Sequence, residues 1–245
     1  MKDKKLIIMS LSAILILIIA CSAYFFKKPE EKEPENYSKE ALQFKEEYES
    51  LNDTIRESDG AKYNNVTIPK DNPIKYVNCK EALEVLKDET AILYVGANWC
   101  PWCRNAVPVL FDVAKERNIK TIYYLNLDNE KDEFKIENGK LVKTKEGTED
   151  YYALLEFLKD DLKDYILTDS NGKKYDTKEK RIYMPFVIAA KNGKVEGTHN
   201  GTTSLNEDQT KYSSLTKEQE QELKTKYNDL FNTIYTSGTC DEGCD

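Results

Sequence analysis

Residues 91–110 read Ala-Ile-Leu-Tyr-Val-Gly-Ala-Asn-Trp-Cys-Pro-Trp-Cys-Arg-Asn-Ala-Val-Pro-Val-Leu. The run Ala91 to Val95 is short, apolar and β-branched enough for a buried strand, and the residues after Cys103 recur at helical spacing through Val107, Leu110, Phe111 and Ala114. Two cysteines therefore fall at a strand-to-helix turn. If Cys100 opens that helix, its sulfur lies beside unpaired backbone N–H groups and the positive helix end, where a thiolate is favoured. Pro101 suits the first helical position because its missing N–H has no partner to lose there. Cys100 is thus expected to be the exposed attacking sulfur and Cys103, one turn further in, the buried resolving one.

A Cys-x-x-Cys pair also occurs in zinc sites, but zinc needs four ligands. The one other close pair is Cys240 and Cys244, and the chain has a single histidine. No metal and no cofactor is expected. Cys240 and Cys244 are read as a second disulfide, with electron relay to the first pair as the alternative. Cys79 is left as a half-buried free thiol. Net charge is −8, from 44 acidic against 36 basic residues, which argues against a nucleic-acid partner.

Working outward, Asn78 and Glu81 have the spacing of a reciprocally capped helix start, with Ala82, Leu83, Val85 and Leu86 as its apolar face. Thr121 to Leu127 predicts a second buried strand. Met184 to Ala190 predicts a third, which Asn192-Gly193 turns back into an antiparallel partner at Lys194 to Gly197. A helix from about Lys217 to Tyr235 would cover one face of the sheet. Between these lies a charged stretch, Asp128 to Thr148, then a helix near Glu149 to Tyr165. Residues 129–180 are accordingly read as a helical insert, either lining a substrate groove or standing as a solvated decoration. Asp128, Glu130 and Asp132 are read as a solvated loop, and His199 as a surface residue.

The segment Ala97-Asn98-Trp99-Cys100-Pro101-Trp102-Cys103-Arg104, the proline Pro108 and the run Met184-Pro185 before an apolar strand and Asn192-Gly193-Lys194 together resemble the thioredoxin superfamily. The likeness spans about residues 75 to 235. It looks closest to the membrane-tethered thioredoxin-like proteins of Gram-positive bacteria, including those labelled bacteriocin transport accessory proteins. The resemblance implies an α/β, thioredoxin-like three-layer fold with a mixed central sheet, in which Pro185 is cis beside the cysteines. Met184 would then offer its backbone to an extended peptide, with Trp99, Pro101 and Trp102 as the rest of the binding surface, Trp99 packing beneath the active turn and Trp102 presenting an apolar face to partner proteins. It departs from the family at Tyr94, which stands where the family has a buried Asp.

The N-terminus adds an uncharged run of 21 residues, Leu6 to Phe26, between lysines. At about 1.5 Å per residue this spans roughly 30 Å, the bilayer core. Ile18-Ile19-Ala20-Cys21 also looks like a lipoprotein site, with Cys21 as the lipidated residue; an uncleaved helix and a lipid anchor both tether the chain. The expected order is an anchor at 1–28, a linker and stalk helix at 29–74, with the helix over 37–58 and an irregular stretch over 59–74, the main domain at 75–236 and a cysteine-containing tail at 237–245. Export would make protein or peptide thiols and disulfides outside the membrane the substrates, served by a membrane redox partner or a transporter. Two functions remain open: a thiol–disulfide oxidoreductase, or a tethered accessory module that holds a peptide with the disulfide kept for structure.

Overall fold

A computed structural model of the chain describes residues 37–235; Cys21, Cys240, Cys244 and the expected anchor lie outside them. The centre is a five-stranded mixed sheet in the order β1-β3-β2-β8-β9. Strands β1 (Ile74–Tyr76), β2 (Ala91–Val95) and β3 (Ile122–Leu125) run parallel, while β8 (Phe186–Lys191) pairs antiparallel with β2, and β9 (Lys194–Asn200) antiparallel with β8. The β8–β9 turn is the expected one: Asn192 and Gly193 both take positive φ, at 52° and 75°.

Strand residues alternate between two cores. Ile92, Tyr94, Ile122, Tyr124, Val187 and Ala189 face one side, packed by α1 (Lys39–Glu49), α3 (Pro101–Glu116) and α5 (Lys217–Asn232). Leu93, Val95, Tyr123, Leu125, Phe186 and Ile188 face the other, covered by α2 (Cys79–Asp88) and α4 (Glu149–Phe157). The period of two sorts the side chains, so the molecule is a mixed sheet between two helical layers. Helix α2 carries the predicted reciprocal cap between Asn78 and Glu81. Among the described residues no helix is long and apolar enough to cross a membrane.

Two expectations change. The helix over 37–58 is shorter, Lys39–Glu49, and it is no stalk: Phe44 and Tyr48 are fully buried. Phe44 stacks on Tyr48 at 4.3 Å and meets Tyr124 edge-on at 4.9 Å. Burying each such ring is worth about 2–3 kcal/mol, which a solvated spacer would forgo. The helix stops because Asn52 turns its side chain onto the backbone of Val66, and Asp53 takes a left-handed φ of 59°. The stretch 59–74 is irregular as expected up to the start of β1 at Ile74, and it buries Asn64, Val66, Ile68 and Asn72 among exposed neighbours. The compact unit starts at Tyr37.

The insert is only partly helical. It consists of a hairpin β4 (Glu133–Glu137) and β5 (Lys140–Lys145), then α4, a single 3₁₀ turn at Lys159–Asp161, and a second hairpin β6 (Lys163–Thr168) and β7 (Lys174–Arg181). Helix α4 ends at Phe157, well short of Tyr165. Asp160 and Asp161 put negative charge where a continued helix would present its negative end, and Tyr165-Ile166 favours strand.

Candidate active site

Cys100 is the N-cap of α3, with its sulfur 3.4 Å from the backbone nitrogen of Cys103 and Pro101 in the first helical position. Pro108 lies inside the same helix. The backbone thus aims N–H groups at Cys100 Sγ. Both cysteines are thiols here. Cys103 is completely buried, and Cys100 retains only 5% of its surface, less than the exposed sulfur expected; Trp102 and Met184 pack over it. A reactant must reach it along the rim these two side chains form.

The two thiols are driven apart in acidity. Cys100 is held below the usual thiol range by the hydrogen bond from Cys103, aided by backbone N–H groups of Cys103 and Trp102 and by the charge of Arg56, against the opposing effect of burial. Cys103 is pushed well above that range, first by burial and then by its hydrogen bond and charge interaction with Cys100. The two sulfurs thus differ in acidity, Cys100 the more acidic and Cys103 the less.

The Met184–Pro185 peptide is cis, and the Met184 carbonyl accepts from Cys100 Sγ at 3.8 Å. Gly201 N donates to Pro185 O at 2.8 Å, and Asn200 Nδ2 donates to the carbonyls of Tyr183 and Pro185. The end of β9 therefore fixes the loop that faces the cysteines. Trp99 is 36% exposed, and its Nε1 donates to Asp128 Oδ2 at 2.6 Å while Lys131 stands over the ring. Trp102 and Met184 thus lie against the two cysteines, with Pro101 and Pro185 beside them in the chain, whereas Trp99, expected beneath the turn, is partly exposed and turned to Asp128 and Lys131.

Three residues of the site come from outside the motif's expected set. Arg104 is 1% exposed and donates to Asn64 O (2.6 Å), Tyr48 O (2.7 Å), Asn98 O (3.1 Å) and Asn52 Oδ1 (2.7 Å). No carboxylate pairs with it among the described residues; its charge is met by those oxygens and the Tyr63 ring. Arg56 donates to the Trp99 carbonyl at 2.6 Å, held by Asp59 and between the rings of Tyr63 and Tyr212. Tyr48 places its hydroxyl 3.0 Å from that of Tyr94. A cation directly after the second cysteine was visible in the sequence; Arg56 and Tyr48 carried no such signal, because their distance along the chain hides their approach in space.

Other expectations fall away from this centre. Cys79 is fully buried rather than half-buried, on the opposite face of the sheet, where burial and then Glu130 push its thiol up. His199 is half-buried with its ring edge-on to Tyr227 at 5.4 Å, and burial lowers its basicity. The acidic loop is pinned, not solvated. Asp128 holds Trp99 and Lys131, Glu130 accepts from Cys79 N, and Asp132 is completely buried against Arg181. Among the described residues no cluster of His, Cys, Asp or Glu is placed to hold a metal ion. In comparisons with known proteins, the chain matches no family model and no curated protein.

Proposed function

We propose that this chain is a protein thiol–disulfide oxidoreductase of thioredoxin-like fold, tethered by its N-terminal apolar run and working on exported proteins outside the membrane. The observation that carries the reading is the asymmetry of the cysteine pair: an acidic Cys100 at the start of α3 and a buried, high-pKa Cys103 one turn on. Cys100 thiolate attacks one sulfur of a substrate disulfide, forming a mixed disulfide and releasing the other as a thiolate. Cys103 then attacks Cys100 Sγ, closes the Cys100–Cys103 disulfide and leaves the substrate with both electrons. Run in reverse, the same steps oxidise a substrate dithiol. Met184, Pro185, Trp99, Pro101 and Trp102 form the surface on which an extended peptide lies, and a membrane redox partner resets the pair. The tether reading rests on residues 6–26, which fit an uncleaved bilayer-spanning helix, and on Ile18-Ile19-Ala20-Cys21, which fits a lipoprotein site.

The test is trapping. Cys103→Ser leaves the mixed disulfide unresolved, so clients should accumulate covalently on Cys100 in the exported fraction. A Cys100→Ser chain that retains every cellular function would instead leave a tethered accessory module. The reduction potential gives direction: about −120 to −180 mV marks an oxidase or isomerase, and about −270 mV a reductase.

A further inference from the structure

The charges beside Cys100 run against those of the chain. The whole sequence carries a net charge of −8, yet the residue just before the nucleophile is held by cations from two sides. Arg56 Nη1 donates to the Trp99 carbonyl at 2.6 Å, and Lys131 Nζ stands 5.4 Å from the centre of the Trp99 ring. Through that carbonyl and the next peptide bond, the Arg56 guanidinium lies within about 5 Å of the Cys100 nitrogen. The sulfur, three bonds further on, is then within about one screening length, roughly 10 Å at 0.1 M salt. Both cations are fixed: Arg56 sits between the rings of Tyr63 and Tyr212 at 5.2 and 5.4 Å, and the two side chains are only 13% and 14% exposed. Each has a carboxylate partner, and each carboxylate has a second cation. Asp59 pairs with Arg56 at 3.2 Å and has Lys211 at 4.0 Å; Asp128 pairs with Lys131, while Lys145 donates to the Asp128 carbonyl at 3.0 Å. Four cations, Arg56, Lys131, Lys145 and Lys211, thus stand against two carboxylates, Asp59 and Asp128, an excess of two positive charges.

We propose that this cationic collar makes the site selective for acidic substrates, disulfide-bearing segments with Asp or Glu beside the cysteine, and that Arg56 and Lys131 are its specificity-determining residues. The proposal rests on the oxidoreductase reading and names the substrate class for it. In the attack, the Cys100 thiolate forms a bond to one sulfur of the substrate disulfide. The substrate S–S bond breaks, and the other sulfur departs as a thiolate with its electron pair. Negative charge therefore moves from Cys100 to the substrate while the collar stays in place. Carboxylates flanking the substrate cystine are attracted to the collar as they approach, and lysines in the same positions are repelled. Complementary charge of this kind acts chiefly on the rate of productive encounter and on the choice of partner, and it weakens with salt. The chain's overall negative charge opposes an acidic partner only at long range, so the preference belongs to conditions in which distant charges are screened and the collar is not.

Two matched peptide disulfides test it. The full chain is used in mild detergent, with Cys103→Ser to stop resolution and Cys21→Ser, Cys240→Ser and Cys244→Ser to silence the remaining accessible thiols. The reduced protein is mixed with the symmetric disulfide of acetyl-Glu-Ser-Cys-Ser-Glu-amide or of acetyl-Lys-Ser-Cys-Ser-Lys-amide, and the Cys100–peptide adduct is followed by mass after acid quenching. At about 0.1 M salt the acidic disulfide is expected to react about fivefold faster than the basic one, and the ratio should fall towards one at about 1 M, where the screening length is roughly 3 Å. Arg56→Gln should cut the ratio about twofold and Lys131→Gln by a smaller factor, with Arg56→Lys close to the parent. A change in Cys100 acidity or in the shape of the turn scales both rates alike, so the ratio reads charge selection alone. A ratio of one or below in the parent chain at 0.1 M salt, or a ratio that a folded Arg56→Gln chain leaves unchanged, overturns the collar; should that variant not fold, an unchanged ratio in Lys131→Gln does so. Absence of an adduct with either peptide overturns the oxidoreductase reading itself, and the collar with it.

Discussion

Residues 37–72 and residues 129–181 both lie outside the strand–turn–helix unit that carries the cysteines, and both are strongly charged in sequence. They meet the protein in opposite ways. The first segment packs α1 into the core and is wired to the helix of the cysteines: Arg104 reaches Tyr48, Asn52 and Asn64, Asn98 Nδ2 donates to Glu47 O, and Arg56 returns to Trp99. The second satisfies its backbone largely within its own two hairpins. It is anchored through α4, Asp132 and Arg181, and leaves β4 and β5 half in solvent. What separates them is where their polar groups find partners. A segment whose carbonyls are claimed by a buried side chain of the active helix becomes part of the site; one that pairs with itself remains a neighbour.

The sharpest way to break this contrast is Arg104→Met, which fills the volume but takes the guanidinium from three backbone carbonyls and leaves Asn52 Oδ1 with Val66 N alone. Leaving buried acceptors without their charged donor should cost about 3–5 kcal/mol in urea unfolding; a loss under about 1 kcal/mol would mean the segment is not clamped. Gly96→Ala comes next. The methyl would collide with the Tyr94 ring, and overpacking of this kind should cost about 1–3 kcal/mol by the same measurement.

Arg56→Gln should barely alter stability at neutral pH but should move the pH profile of Cys100 alkylation to higher pH, with Arg56→Lys intermediate; an unmoved profile would deny the segment its electrostatic part. The sign extends to stability. Because the folded Cys100 thiol lies below its unfolded value of about 8.5, the reduced protein has this stabilisation in full above that pH. It is lost as pH falls through the folded value, so stability should rise with pH across that window, and less so in Arg56→Gln. Cys103, pushed the other way, opposes this only above the window. The smallest effect belongs to the insert. A Gly-Ser pair added at the Asn138-Gly139 tip, where both residues already take positive φ, should change unfolding by less than about 0.5 kcal/mol and leave both thiol reactions untouched.

Much of the sheet was legible because Ala91–Val95, Ile122–Leu125 and Phe186–Lys191 are short apolar runs bounded by turns, and Asn192-Gly193 names its own hairpin. The cysteine pair was legible through local spacing. Glu133-Phe-Lys-Ile-Glu137, Asn138-Gly139 and Lys140-Leu-Val-Lys-Thr-Lys145 also carry alternation and a hairpin turn, but the density of charge masked two half-exposed strands. Leu154, Leu155, Leu158 and Leu162 kept helical spacing past the point where the helix ends, since the last two serve the core from a turn instead. Arg56 and Tyr48 lay beyond reach for a different reason. Their roles are set by contacts across 43 and 46 residues, and no local pattern encodes those.

The chain has two tryptophans, and they stand on either side of Cys100. Trp99 is partly in solvent with its indole N–H bound to Asp128, and Trp102 packs against the small cluster of Ala97, Cys100 and Cys103. All indole fluorescence from this protein therefore originates within a few residues of the dithiol. Thiolates, disulfides and carboxylates quench excited indoles on contact, so closing the ring, docking a peptide on the rim or displacing Asp128 would each alter the emission without any added label. The molecule carries its own optical gauge of the cysteine pair, placed where a redox titration would need one.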